Sequence, residues 1–514
     1  MILRKGCIFF MIGTLLLGNS GLARASVEHM ANKPKNGKTV EAPFPKGTGG
    51  SESFRIPAMV TLDSGRIVAA ADARWNTTYD GGGLDTIVSY SDDKGKSWRY
   101  TFANYLGDNG NTYNGEKSTC FIDPCLVTDG KKLWLFCDLY PYGVALNGNG
   151  KQTIPQNVTG FDAKGNLLLS DNDHRSYDYY LNQKKGTIHK RNNGEVVENI
   201  KVDRYFNVTG GGVSSNLFFE DSPYKVQRTS YLYMISSKDG GATWSAPALL
   251  NLKQTREQAF LVAPGRGVYT KDRKIIVPCY GYNNANGTVS EFTCFIYSED
   301  GGTTWKRSRD AMKSRSSESA VVELPNGVLR FFYRHMDTGT LNYVDALLVD
   351  AGNRMEYRWT LPVRTENPVN ANCQLSAIVY SEPVQGKTAI LISCPTGRNE
   401  EGSTSSTGGP YAQGGHRLNG KIFVGLLSGD WDNRMSWLLP MNVNENNAEF
   451  MYSCMTELKD GSVALLYEDH QNGWGAGEDK YYTMSYRVYT AKEIIRDPRV
   501  KIGNGRSMRV EVKN

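Results

Sequence analysis

The pattern S-x-D-x-G-x-[ST]-W occurs three times at full length, as "SDDKGKSW" (Ser91 to Trp98), "SKDGGATW" (Ser237 to Trp244) and "SEDGGTTW" (Ser298 to Trp305). Aspartate, glycine and serine or threonine at these offsets suit a tight turn whose side chains bond their own backbone, with the tryptophan packed beneath. "VDAGNRMEYRW" (Val349 to Trp359) and "SGDWDNRMSW" (Ser428 to Trp437) read as decayed copies. Such repetition constrains the architecture before any single element does, because one repeat cannot bury its own apolar face and neighbouring copies must stack.

A second repeat is an apolar strand, a turn and another apolar strand: "IPAMVTLDSGRIVAA", "FIDPCLVTDGKKLWLFC", "FLVAPGRGVYTKDRKIIVPC", "SAVVELPNGVLRFFY", "LSAIVYSEPVQGKTAILISC" and "SCMTELKDGSVALLYE". β-Branched and aromatic runs around Asp-Gly or Asn-Gly turns are the mark of antiparallel hairpins. Six hairpins, five of them followed by a box or its remnant, predict an all-β chain with six four-stranded sheets around an axis, a six-bladed β-propeller. "YTMSYRVYT" (Tyr482 to Thr490) is expected to close the ring by joining the first blade.

The remaining segments follow from composition. Arg4 and Lys5, an apolar run from Cys7 to Leu17 and Ala23-Arg24-Ala25 read as a signal peptide over 1–25, cleaved near Ala25, so the mature protein is expected to be secreted and not inserted in a membrane. Residues 26–51 read as a polar leader, 52–149 as the first part of the propeller, 228–497 as its second part and 498–514 as a tail. Between them, 150–227 is too long for half a blade and holds its own strand runs ("GTIHKR", "GEVVENIKV", "SSNLFFED"), which predicts a small β domain inserted in the second blade region. The formal charge of +6 contains no basic run and makes no case for nucleic acid. Eight cysteines remain beyond the signal, without a repeated C-x-x-C that would suggest zinc; buried free thiols and a Cys279–Cys294 pair both stay open.

In a hairpin, residues at equal distance from the turn share one edge of the sheet. Arg55 and Arg74 straddle Gly65, Glu318 and Arg334 straddle Gly327, and Tyr452 and Glu468 straddle Gly461; Asp123 and Gln374 take the leading position in two further hairpins. Five hairpins thus lift polar side chains to one rim of the channel.

With "FRIP" (Phe54 to Pro57), the boxes and this hairpin order, the chain from Ser53 to Asp497 resembles the bacterial exo-α-sialidases (neuraminidases), in particular secreted members with an inserted β domain. The resemblance implies an arginine triad of Arg55, Arg334 and Arg417, the last in "GGHRLNGKI". It implies Asp80 in "NTTYDGGG" as acid/base, with Asp85 as second choice, and Tyr452 with Glu318 as the nucleophile pair. Arg74 and Asp123 match residues holding the sugar's 4-position, and Glu468 the carboxylate that steadies the first arginine. Ser319 stands where the family often has proline.

The residue types fit such a substrate. Sialic acid carries a carboxylate on its anomeric carbon, which guanidiniums grip with paired, charge-assisted hydrogen bonds. That same charge disfavours a carboxylate nucleophile, whereas a neutral phenol with a glutamate base meets no such repulsion. The expected activity is retaining hydrolysis of terminal sialic acids from glycoproteins, glycolipids and oligosaccharides by a monomer, without cofactor or metal. Intermolecular transfer uses an aromatic beside the third arginine, and "YAQGGHR" has no tryptophan there. Intramolecular transfer, releasing an anhydro sugar, needs an aromatic wedge that Trp474 or a tyrosine would supply; a non-catalytic sialic-acid-binding propeller would have lost Tyr452, Glu318 or Asp80.

Overall fold

The computed structural model describes residues 37–39, 42–75, 77–105, 119–146, 152–285, 288–311, 316–335, 339–352, 354–369, 372–397, 417–429, 434–444, 447–477, 479–497, 500–502 and 510–512. The signal segment, most of the leader and tail, and the stretch preceding Arg417 lie outside them. Among the described residues no helix is long and apolar enough to cross a membrane.

Each hairpin forms where alternating apolar runs flank a turn residue able to adopt positive φ, as Gly65 (φ 90°) and Gly461 (φ 77°) do. Phe54–Thr61 pairs antiparallel with Ile67–Ala73, which continues through Asp85–Ser91 to Trp98–Asn104. Five more sheets follow the same order, beginning with the inner strands Cys120–Thr128, Ala259–Val262, Ser316–Glu323, Ser376–Val384 and Ser453–Glu457. The first inner strand touches both the second and the last, and the fourth touches the fifth, which touches the last. The chain is therefore all-β, with its sheets succeeding one another around a channel in the manner of propeller-type proteins.

Tyr481–Tyr489 corrects one expectation: it is the third strand of the last sheet, paired with Val463–Asn472, and not part of the first. A short connection makes the sequential antiparallel neighbour the easier partner. It still meets the first sheet, through Tyr482 N–H donating to Ser53 Oγ at 3.1 Å and Tyr486 edge-on to Trp98 at 5.2 Å.

Between Leu133–Tyr140 and Tyr231–Ser237 the chain leaves the second sheet and builds a four-stranded and a three-stranded sheet from Leu167–Ser170 to Lys225–Val226. Leu169, Leu181, Ile188 and Val208 of this segment share a buried cluster with Leu139, Tyr231 and Tyr233 of the second sheet, so it is packed onto the ring. The eight cysteines of the described residues are buried free thiols, Cys279 and Cys294 directly opposite on adjacent strands.

Two sets of polar contacts tie successive sheets together. On the boxes' face, Asp93 accepts from Ser97 N–H (2.9 Å) and Ser97 Oγ–H (2.6 Å), and Asp239 and Asp300 repeat the arrangement with Thr243 and Thr304. Cations then bridge neighbours: Arg66 reaches the Asp239 carbonyl, Lys132 the Gly301 carbonyl, and Lys94 the Asp460 carboxylate. Toward the opposite face, an acid on the second strand of one sheet accepts a backbone N–H from the inner strand of the next. Glu468 takes Ile56 N–H (2.8 Å), Asp72 takes Asp123 N–H (3.1 Å) and Asp138 takes Val262 N–H (3.0 Å).

Asp138 has no accessible surface and its Oδ2 has no hydrogen-bond partner among the described residues. Burial, with the Asp72 charge adding to it against the opposing Val262 bond, pushes its carboxyl well above the usual carboxylate range. An acid with a raised folded-state pKa gives its full stability below its unfolded pKa of about 3.9 and loses it as pH rises. Asp138→Asn keeps an oxygen for Val262 and removes the ionisable group. Its stability relative to wild type should increase from about pH 4 upward, by at most about 1.4 kcal/mol per pH unit. Urea midpoints at several pH values measure this; parallel pH curves for the two proteins would refute it.

Candidate active site

The channel rim is built from irregular strand starts. Pairing registers break between Arg55 and Ala58, Ile122 and Cys125, and Ser316 and Ser319, at the same place in three sheets. Such bulges re-aim side chains. Ile56 (φ 60°) and Asp123 (φ 63°) adopt the left-handed region, at a cost of about 1–3 kcal/mol each. The bonds from their N–H groups to Glu468 and Asp72 hold these conformations.

Arg55, Asp80, Asp123, Glu318, Arg334, Arg417 and Tyr452 line one cavity of about 680 Å³. Arg55 lies between the rings of Tyr452 and Tyr482, each 4.8 Å from its guanidinium, with Nε 3.0 Å from Glu468 Oε1 and Nη1 3.1 Å from Asp80 Oδ1. Arg334 Nη1 donates to Glu318 Oε2 at 2.7 Å and to Tyr452 Oη at 2.9 Å. Tyr452 Oη in turn donates to Glu318 Oε1 at 2.6 Å. Arg417 donates through Nε and Nη2 to the carbonyl of Asn372 at 3.2 and 2.8 Å, its guanidinium 5.2 Å from the Tyr452 ring.

Electrostatics sort these groups by charge. Burial opposes the charge on Arg55 and Arg334, but Glu468 beside the first and Tyr452 and Glu318 beside the second outweigh it and hold both pKa values above the ordinary arginine range. Burial and the Glu318 charge push the Tyr452 phenol well up, against the neighbouring guanidiniums, so it is neutral at physiological pH. For Asp80 burial works upward, yet Arg74 and Arg55 prevail and hold its carboxyl below the usual range.

Three of the expected site residues do not line the cavity. Arg74 has no exposed surface and is spent on Asp72 (2.9 Å) and Asp80 (2.6 Å), so it acts behind the acid. Glu468 is buried beneath Arg55. The expectation that Gln374 meets a ligand is corrected: its amide accepts from Ser453 N–H and donates to the Ser453 carbonyl, which consumes it as a brace between the fifth and sixth sheets. Asp85 is buried opposite Ala73 in the first sheet and is absent from the cavity wall, whereas Asp80 lines it.

Asn372 carries no sequence signal, whereas Trp474 is one of the aromatics that the sequence offers as a wedge. Asn372 Oδ1 accepts from Arg334 Nε (3.1 Å) and from its Nη2, while its carbonyl holds Arg417, so one residue sets the spacing of two arginines. Trp474, 52% exposed, stands edge-on to Tyr79 at 5.4 Å on a loop whose Gly475 carbonyl accepts from Thr77 and Thr78 beside Asp80. Together the guanidiniums can bind a planar anion, the phenol and glutamate can supply an activated nucleophile, and the aspartate can exchange a proton.

A family model described as a BNR repeat-like domain matches residues 205–465. The chain is 28% identical over 483 residues to an anhydrosialidase of Macrobdella decora, covering 83% of this chain and 59% of that protein. It is 27% identical over 476 residues to sialidase B of Streptococcus pneumoniae, covering 83% and 62%. The chain thus spans about three fifths of the length of these curated relatives. Among solved structures, the intramolecular trans-sialidase from Ruminococcus gnavus superposes with a TM-score of 0.73 at 26% identity, covering 89% of this chain and 99% of that one. The leech intramolecular trans-sialidase bound to 2,7-anhydro-Neu5Ac gives 0.72 at 25% identity, covering 89% and 71%.

The Arg55–Glu468 contact supports a direct test. Glu468→Gln leaves an oxygen for Ile56 but withdraws the buried counter-charge, and should destabilise the fold by about 3 kcal/mol in urea unfolding. A loss below about 1 kcal/mol would mean that Asp80 alone suffices for Arg55.

Proposed function

The chain belongs to the BNR repeat-like domain family, and from that premise we propose that it is a retaining sialidase-type enzyme of the intramolecular trans-sialidase kind. It is read as a six-bladed propeller with an inserted β domain, acting outside the cytoplasm on terminal sialic acids of glycans. The observation that carries this is the convergence of Arg55, Arg334 and Arg417 on one cavity beside a neutral phenol bonded to Glu318.

In this reading the sialoside carboxylate sits among the three guanidiniums. Tyr452 Oη attacks the anomeric carbon while Glu318 takes the phenolic proton, the glycosidic bond breaks, and Asp80 protonates the leaving oxygen. The sugar's own 7-hydroxyl then attacks the anomeric carbon and gives its proton to Asp80 as the bond to Tyr452 Oη breaks and Glu318 returns the phenolic proton, which leaves a 2,7-anhydro sugar with retained configuration. Trp474 and Tyr79 favour this outcome over hydrolysis, because an apolar wall beside Asp80 keeps water from competing with an internal hydroxyl. A hydrolytic reading from the neighbourhood of Arg417 alone leaves out this wall, which arrives from a different sheet. The printed names of the leech and Ruminococcus gnavus enzymes point the same way.

Product NMR on 3′-sialyllactose separates the outcomes. Wild type should yield the anhydro sugar, Trp474→Ala a larger share of free sialic acid, and Tyr452→Phe at least a hundredfold less of either. Free sialic acid as the sole wild-type product would leave hydrolysis as the function.

Asp80 adds a pH signature. In the empty site its pairs with Arg55 and Arg74 hold its pKa down, whereas a bound carboxylate on Arg55 takes over one of those cations and lets the acid keep its proton. Hence kcat/KM, which reports the free enzyme, should fall as pH rises from below the usual carboxylate range, while kcat persists to higher pH. Superimposable alkaline limbs would contradict this arming of the acid.

A further inference from the structure

A second cavity lies at the other end of the channel. The proposed sialoside site is formed where the inner strands begin, at Arg55, Glu318 and Tyr452. The second cavity, about 550 Å³, is lined by residues five or six positions further along the same strands, at Thr61, Glu323 and Glu457. At about 3.3 Å per residue the two are separated by about 17–20 Å, so neither is an extension of the other.

Its floor carries a cation with little to hold it. Arg266, on the short strand Gly265–Arg266 parallel to Cys125 and Leu126, donates from Nη1 to the Met455 carbonyl at 3.3 Å. Among the described residues no carboxylate lies within ion-pair distance of it. Elsewhere in the interior, Arg74, Arg307 and Arg330 each meet an acid, at 2.9, 2.6 and 2.8 Å. The nearby acids are already engaged: Glu457 accepts from the Ser381 N–H and hydroxyl, and Glu323 accepts from Lys271 N–H. Burial accordingly draws the Arg266 pKa below the ordinary arginine value, opposite to the behaviour of Arg55 and Arg334. Arg417 likewise donates to a backbone carbonyl and has no carboxylate within ion-pair distance among the described residues, and it faces the cavity proposed to receive a ligand's acid group.

We propose that this second cavity binds a small organic monocarboxylate, whose acid group pairs with the N–H groups of Arg266 not given to Met455 and whose apolar body lies against Val321, Ile378 and Pro383. One guanidinium edge matches one carboxylate in a bidentate pair. Lys271 on the same wall adds a second cation, and Glu323 and Glu457 offset the two, so the nearly neutral wall suits a single negative charge better than a multiply charged anion. Arg266 is only partly buried, so its remaining guanidinium N–H groups are open to a ligand's carboxylate entering the cavity.

The probe is 4-methylbenzoate with the full chain, read by saturation-transfer NMR and calorimetric titration. Wild type and Arg417→Met should bind it alike, and Arg266→Met should bind at least tenfold more weakly while melting no lower than wild type. Absence of binding by wild type, equal binding by Arg266→Met, loss confined to Arg417→Met, or a lowered melting temperature of a folded Arg266→Met would each overturn the proposal. If Arg266→Met does not fold, a wild-type crystal soaked with the probe decides. Density at Arg266 supports the site; density only among Arg55, Arg334 and Arg417, or none, sinks it.

Discussion

A backbone N–H of an inner strand, bonded to a buried acid from the sheet before it, is the contact on which the rest depends. Glu468, Asp72 and Asp138 make it at three successive junctions, including the one where the last sheet meets the first. Two of these bonds hold backbone in the left-handed region at Ile56 and Asp123, which turns Arg55 and Asp123 toward the channel. Without the acid, a strained residue and an unmet donor would be buried together. The ring closure and the shape of the rim are thus one problem with one solution.

The same three junctions are bridged on the opposite face by Lys94, Arg66 and Lys132, each linking a box of one sheet to the hairpin turn of its neighbour. This division explains why the boxes are most regular in the first three sheets, and why their residues do not line the rim cavity. Folding chemistry and proposed site chemistry occupy opposite ends of the strands, so each can vary without disturbing the other. The strands themselves are the spacer.

Charge at the rim is balanced by alternation of acids and bases. Three guanidiniums would repel one another in a buried place, yet Glu468, Glu318 and Asp80 interleave with them and two aromatic rings flank Arg55. Arg417 alone is left with only a carbonyl partner among these. That asymmetry leaves capacity for one more negative group and keeps the phenol of Tyr452 neutral between Glu318 and Arg334.

Repeats and turn chemistry carry the all-β architecture and the order of its sheets in the sequence, because strand periodicity and Asp-Gly turns act over a few residues and survive reading one segment at a time. Equal offsets from Gly65, Gly327 and Gly461 likewise bring Arg55, Glu318, Arg334 and Tyr452 to one rim, since hairpin register is a local rule. Tertiary structure alone decided that Gln374 braces Ser453, that Arg74 stands behind Asp80, that Asn372 spaces two arginines and that Tyr481–Tyr489 stays with the last sheet. In each case the partner is the group that packing brings nearest, at separations from 6 residues for Arg74 and Asp80 to 79 for Gln374 and Ser453, which no local period predicts.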